Sequence, residues 1–316
     1  MLKDEKILVT GPAGRIAYGL SKFLAKDNEV WGIARFSDPA TRKKVEALGV
    51  KTRAIEIGTS DFGDLPNDFT YLLHIAADFN LSDYDRALRV NAEGTGFLLA
   101  HCRKAKAVLH MSTVTVYKPH PDPWHLFRED DALGDALATP IAPYSVSKIA
   151  GEAVARYCAR AFELPCTIAR MCCAYGDQGG VPVWHMQAIA EGKPVEARWD
   201  PLPYSPIHDD DIQGQVEALL DAASVPATIV NWGPDEPASV QQWCAWFGEL
   251  FGAEAKVNIK PIPGASIGAI ADHAKRRSIT GPSRVGWKAG FRRMAEQFYP
   301  DRIKQRRPEH TSTKSR

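Results

Sequence analysis

The stretch KILVTGPAGRIA at residues 6–17 constrains this chain more than any other. A short apolar run ending on glycine is the signal of a buried strand. Helical spacing follows at once, with Ile16, Leu20, Phe23 and Leu24 recurring. A strand that passes through glycines into a helix belongs to a βα unit, whose next strand returns parallel. The alternation continues. EVWGIARF (29–36), YLLHIAA (71–77), AVLHMSTVTVY (107–117), CTIARMCCAYG (166–176) and ATIVNWG (227–233) read as strands. RALRVNAEGTGFLLAHCRKA (86–105), PYSVSKIAGEAVARYCARAF (143–162) and SPIHDDDIQGQVEALLDAA (205–223) contain helices between them. The expected fold is α/β: a doubly wound parallel sheet of Rossmann type, covered on both faces.

After Gly176 the pattern changes, and 177–206 is rich in Gly, Pro and Trp. The expected division is a dinucleotide-binding domain of residues 1–176 and 207–233. A smaller, discontinuous substrate-binding region of 177–206 and 234–300 lies over the strand ends. Residues 301–316, with six basic and two acidic side chains, read as a flexible basic tail. The 316 residues are 45% hydrophobic, enough for a sizeable core. A net charge of +1 gives no field for nucleic acid, and the apolar runs are too short to span a bilayer. The N-terminus runs into a strand with no signal-peptide core, and the six cysteines show no CxxC pair. A cytoplasmic protein with reduced thiols is expected.

Where the first strand meets the first helix, Gly11 and Gly14 form a G-x-x-G core with Ala17 beyond. One glycine allows the tight turn, and the other lets the backbone approach a pyrophosphate at the helix N-terminus. Strand before and helix after are the context such a site needs.

Two stretches place a tyrosine one helical turn before a lysine: YGLSK (18–22) and YSVSK (144–148). A tyrosine hydroxyl titrates near 10 in water and is a poor proton relay at neutral pH, but a nearby ammonium lowers that value. Lys148 shares a helix face with Tyr144, about 6 Å away by rise. Upstream, Ser112 and Thr113 offer hydroxyls at a strand end to orient a substrate oxygen. Tyr18 and Lys22 sit on the first helix, away from Ile16, Leu20 and Phe23, and are expected at the domain edge.

With these residues in order, the chain resembles the extended short-chain dehydrogenase/reductase family, also described as the NAD-dependent epimerase/dehydratase family. TGPAGRIA (10–17) resembles its TGxxGxxG, HIAA (74–77) its H-x-A-A, and NAEGT (91–95) its N-x-x-G-T. STVTVY (112–117) resembles S-[ST]-x-x-V-Y, and YSVSKIAGE (144–152) resembles Y-x-x-S-K-x-x-G-E. ARMCCAYG (169–176), PIHDDDI (206–212) and NWG (231–233) resemble R-x-x-x-x-Y-G, H-V-D-D and N-x-G. The resemblance spans 6–290 and includes only the second YxxxK. It implies Thr113, Tyr144 and Lys148 as catalytic residues. It implies cofactor contacts from Gly11, Gly14, Arg15, Ile16, Arg35, Ala76, Ala77, Asn91 and Lys148. Phe79, Ser112, Tyr175, Trp184 and Tyr204 are the expected substrate contacts. A homodimer is implied, formed by the catalytic helix and the helix before it, with Leu98, Leu99, Ile149, Val154 and Tyr157 as apolar candidates.

Ala34 stands at the usual acidic position after the second strand, and Arg35 follows. A guanidinium there suits a 2′-phosphate, so NADP(H) is the expected cofactor, with NAD(H) as the alternative. The adenine contact, near IEIGTSD (55–61), stays open. Family dehydratases carry an acidic residue where this chain has Thr115, which argues against dehydration. Nucleotide-sugar enzymes carry an arginine where this chain has Tyr204, with Arg170 and Arg198 as substitute cations, while Phe79, Trp184, Trp199 and Tyr204 suit an apolar or aromatic carbonyl compound. Three readings remain: an NADP(H)-dependent reductase or dehydrogenase, a nucleotide-sugar epimerase that retains its cofactor, and a non-catalytic dinucleotide sensor. No metal site is expected. HPDPWH (120–125) lacks assured convergence of ligands, and His208 with Asp209 to Asp211 is expected to cap a helix.

Overall fold

A computed structural model describes residues 2–79, 83–134 and 142–303. Seven strands form one parallel sheet. They are β1 (Lys6–Thr10), β2 (Glu29–Ala34), β3 (Lys51–Ala54), β4 (Tyr71–His74), β5 (Ala107–Thr113), β6 (Cys166–Met171) and β7 (Thr228–Trp232). Their spatial order is β7-β6-β5-β4-β1-β2-β3. Ile7, Leu8 and Val9 are fully buried, as a strand covered on both faces requires. The order reverses between β1 and β4, and the crevice beyond their carboxyl ends is where such sheets take ligands.

The helices are α1 (Arg15–Leu24), α2 (Pro39–Glu46), α3 (Tyr84–Leu88), α4 (Gly94–His101), α5 (Ala142–Ala161), α6 (Val181–Ala190), α7 (Asp209–Asp221), α8 (Val240–Phe251), α9 (Ala274–Thr280) and α10 (Trp287–Phe298). One face of the sheet packs on α1, α2 and α7 through Leu20, Leu24, Val45, Val216 and Leu219. The other packs on α4 and α5 through Leu98, Leu99, Ala155 and Ala159. A further core joins α6, α8 and α10 through Val183, Met186, Trp243, Phe247, Phe291 and Met294.

Several local expectations change. The strand read through 117 stops at Thr113, where Val114–Val116 form a 3-10 turn and the Thr113 hydroxyl accepts from Thr115 N. The strand read from 166 to 176 breaks after Met171; Cys173–Tyr175 pairs instead with Pro206–His208. The helix read over 86–105 is interrupted by a π-helical turn at Arg89–Glu93. The buried positions of α1 are Ala17, Leu20, Ser21 and Leu24, and Phe23 is only partly buried. The basic tail from residue 304 onward lies outside the described residues.

Candidate active site

The glycine turn is held by close approach. Gly11 adopts φ +62°, and a Cβ there would stand 3.1 Å from the Ala76 Cβ. Gly14 N donates to Gly11 O at 2.8 Å, and Gly14 caps α1 with no side-chain hydrogen bond and no acidic residue in the first turn. The first backbone N–H groups of α1 therefore keep their capacity for an anion. The facing wall is equally fixed. Thr10 Oγ1 accepts from Ile75 N and Ala76 N at 2.9 Å each. Thr10 Oγ1 and His74 Nδ1 are 3.0 Å apart, and His74 Nε2 and Thr95 Oγ1 are 2.9 Å apart. Thr95 donates its own proton to Asn91 O, so His74 is the donor at Nε2 and the acceptor at Nδ1. Burial, reinforced by the charge of Lys148, drives His74 down to about 3 and keeps it neutral.

A cavity of about 720 Å³ runs from this cradle to α5. Gly11, Gly14, Ile16, Ala76 and Ala77 line one end, and Thr113, Tyr144 and Lys148 line the other. An adjoining cavity of about 320 Å³ is bounded by Ala34, Arg35, Ile55, Glu56 and Ile57. The size, the glycine cradle and the uncapped helix end fit a nicotinamide dinucleotide. Ile55, Glu56 and Ile57 are the residues of the IEIGTSD stretch that reach the adjoining cavity.

Thr113 and Tyr144 line the same end of the cavity, and the Thr113 hydroxyl is close enough to act on the Tyr144 phenol. Burial pushes the Tyr144 phenol up to about 12, and the Thr113 hydroxyl opposes that rise. Lys148 is buried and donates from Nζ to Met111 O at 2.6 Å. Burial lowers its ammonium to about 8, and the Glu152 carboxylate pulls the other way. The expected depression of the Tyr144 phenol by Lys148 is therefore corrected: desolvation dominates. The Phe79 ring stacks on Tyr144 with centroids 4.7 Å apart.

Trp184 and Tyr204 line the cavity wall beyond Thr113, joined by Met171, Cys172, Cys173, Ala174 and Val181. Four of the expected contacts have partners within the protein, and of these Arg15 and Ser112 line the cavity. Arg15 lines the cavity, but its guanidinium donates to Asp209 Oδ1 at 2.8 Å and Gly179 O at 3.0 Å. Asn91 is buried outside the cavity lining, where it accepts from Asp78 N and donates to Asp78 O and Ser147 Oγ. It fixes the loop after β4 to α5. The Ser112 hydroxyl points to the opposite face of β5 from Thr113 and donates to Glu152 Oε1 at 2.5 Å. Tyr175 is fully buried in the core of α6, α8 and α10, and Gly290 packs against its hydroxyl.

Glu152 accepts from Arg170 Nε at 2.9 Å and Nη2 at 2.8 Å as well as from Ser112. Arg170 Nη1 donates to the Tyr117 hydroxyl at 3.0 Å, which donates to Asn231 Oδ1 at 2.6 Å. This buried network ties α5 to β5, β6 and β7.

The first YxxxK stands elsewhere. Tyr18 and Lys22 line a separate groove with Asp177, Gln178, His208 and Arg293, and Lys44 lies 4.5 Å from the Tyr18 ring centre. His208 caps α7, its Nδ1 accepting from Asp210 N at 3.0 Å. Cys172 and Cys173 follow the end of β6 at Met171, and both reach the cavity. Burial raises both thiols.

A profile of the NAD dependent epimerase/dehydratase family matches residues 7–197. The chain belongs to that family. It is 26% identical to an uncharacterized 37.6 kDa protein of Escherichia coli O111:H-, covering 84% of this chain and 90% of that protein. It is similar to the crystal structure of UDP-glucuronic acid 4-epimerase from Bacillus cereus in complex with UDP-glucuronic acid and NAD. There the TM-score is 0.79 at 25% identity, over 93% of this chain and 100% of that one. UDP-N-acetylglucosamine 4-epimerase from Methanobrevibacter ruminantium shares the fold, with a TM-score of 0.80 at 17% identity over 95% and 100% of the two chains.

Proposed function

We propose that this chain exchanges a hydride between a bound nicotinamide dinucleotide and the carbon of a secondary alcohol or its ketone. The observation that carries the reading is the Thr113–Tyr144 hydroxyl pair at the far end of a cavity that begins at the glycine cradle. When bound, the dinucleotide supplies the hydride acceptor or donor. Gly11, Gly14, Ile16, Ala76 and Ala77 hold it, and Lys148 anchors its ribose. Tyr144 takes the hydroxyl proton in oxidation and returns it in reduction, while Thr113 orients the substrate oxygen. A non-catalytic dinucleotide sensor would have no use for this trio.

The comparisons favour an epimerase that retains its cofactor over a ketone or aldehyde reductase. The similar B. cereus protein is a 4-epimerase whose structure contains NAD. The lining of the cavity supports the other ending, net reduction or oxidation of an apolar carbonyl or alcohol. Epimerases return the hydride to the same carbon, so their cofactor purifies with the protein; reductases exchange it. Extraction of the purified protein and assay for released NAD(P) separates the two. On an active substrate, Tyr144→Phe is expected to lower turnover about 10²–10⁴-fold with little change in cofactor affinity. Tyr18→Phe is expected to leave the rate unchanged, and equal losses in both variants would refute the assignment.

We also propose a preference for NADP(H). Ala34 offers no carboxylate to a ribose 2′-hydroxyl, and Arg35 is exposed at the rim of the adjoining cavity. Arg35→Ala is expected to weaken NADPH about tenfold or more, the size of a charge-assisted phosphate contact, and NADH little. An unchanged ratio of the two affinities by titration would remove the preference. A cytoplasmic homodimer is proposed as the working form, with the free thiols of all six cysteines supporting a reducing compartment.

A further inference from the structure

The substrate end of the cavity points to a narrower ligand class than the comparisons suggest. Its wall is built by Met171, Cys172, Val181, Trp184, Tyr204 and Ala269. Among the described residues that line the whole cavity, the charged side chains are Arg15 and Lys148. Arg15 stands at the glycine cradle and Lys148 beside Tyr144, and both are engaged, Arg15 by Asp209 and Gly179 O and Lys148 by Met111 O. Arg198 touches the aromatic wall through Tyr204 but is not among the residues that line the cavity. Its Nη1 donates to the Tyr204 hydroxyl at 2.8 Å, and its Nε donates to Ser266 O. The Tyr204 ring, which lines the cavity, is stacked on Trp243 with centroids 5.7 Å apart, and the Arg198 guanidinium lies 5.7 Å from its centre.

A nucleoside diphosphate would bring two negative charges to this wall. Without cations to replace its water, such a group loses far more hydration than the wall returns. Apolar surface, in contrast, is on offer. Trp184 is 60% exposed and Phe79 is 65% exposed although both line the cavity. An aromatic ring seated on Trp184 would remove apolar area from water on both partners and gain ring–ring contact as well.

We propose that the substrate site takes an uncharged, ring-bearing alcohol or ketone, with Trp184 as its main apolar contact, and excludes nucleoside diphosphate sugars. The substrate carbon lies beside Thr113 and Tyr144, so this inference rests on the hydride-exchange reading for its chemistry but not for its binding.

The test is calorimetric titration of the cofactor-saturated protein with two series. One is cyclohexanone, acetophenone and 2-acetylnaphthalene with their alcohols; the other is UDP, UDP-glucose and UDP-glucuronic acid. The ring compounds are expected to bind saturably, more tightly as the ring system grows, and the UDP series is expected to show no saturable heat up to millimolar concentration. Trp184→Ala is expected to weaken the ring compounds tenfold or more, and Trp184→Phe to restore most of that loss. Because the side chain is largely exposed, neither substitution opens the core, and unchanged cofactor affinity in both variants checks that the fold is intact. Saturable binding of the UDP series, failure of every ring compound to bind, or an affinity indifferent to Trp184→Ala would overturn the proposal. Binding of the ring compounds without any change in nicotinamide absorbance, with either dinucleotide and in either direction, would instead sink the hydride-exchange reading and leave the ligand class standing.

Discussion

At the scale of single residues, one environment acts on Tyr144 and Lys148 in opposite senses. Burial disfavours the charged form of each, so the phenol rises to about 12 and the ammonium falls to about 8. The sign of the pH dependence follows. Below about 8 Lys148 is charged, and its charge is lost as pH rises through that value. The Tyr144 proton stays in place over the same range, because its phenol titrates near 12. Reduction of a ketone needs both the phenol proton and the ammonium, so its rate is expected to decline above about pH 8 through Lys148, not Tyr144. In Lys148→Met the rate is expected to be lower and the limb near 8 to be gone. The check is a pair of pH–rate profiles from pH 6 to 10 at saturating cofactor. A limb that survives in Lys148→Met would assign it to another group.

At the scale of elements, what is legible is what is apolar and continuous. β1 and β4 carry unbroken hydrophobic runs, and the single sequence suffices for them. β3 is Lys51–Ala54, an edge strand with only Thr52 buried, and α2 buries only Val45. Neither has an apolar period for sequence reasoning to find. The end of β5 misleads for the opposite reason. Val114, Thr115 and Val116 have the composition of a strand, but the Thr113 hydroxyl turns the chain by accepting from Thr115 N. The candidate site divides the same way. Gly11, Tyr144 and Lys148 follow from local spacing, whereas the commitments of Ser112 and Arg15 are to residues 40 and 194 positions away and leave no local trace. The Glu152–Arg170 pair is the clearest case, both side chains being under 5% exposed. Glu152→Ala would strand a buried guanidinium, at an expected cost of about 3–5 kcal/mol in urea unfolding. Glu152→Gln keeps part of the hydrogen bonding and is expected to cost less, about 1–3 kcal/mol. Equal and small losses in both variants would show that Arg170 finds water when Glu152 is gone.

At the scale of the whole molecule, the outer face of α4 and α5 asks for a partner. Leu98 and Leu99, expected at a dimer contact, are instead buried under the sheet, so they are not available. Tyr157 is 68% exposed, Phe97 40% and Val146 37%, all on α4 and α5. Arg156 and Arg160 border Tyr157 along a shallow groove with Ala153 and Ala161. Aromatic and arginine side chains with small residues between them suit an interface core, and a two-fold axis would bring each patch against its own copy. The protein is therefore expected to sediment at about twice its chain mass of 34.8 kDa at micromolar concentration. Tyr157→Glu with Phe97→Glu places like charges against themselves across that axis and is expected to yield a monomer. Both side chains are exposed in the isolated chain, so the urea midpoint of the monomer should stay close to the wild-type value measured at high dilution. A wild-type protein that sediments as a monomer at micromolar concentration would leave this face without a partner. A double variant that remains dimeric would move the contact to another part of the surface.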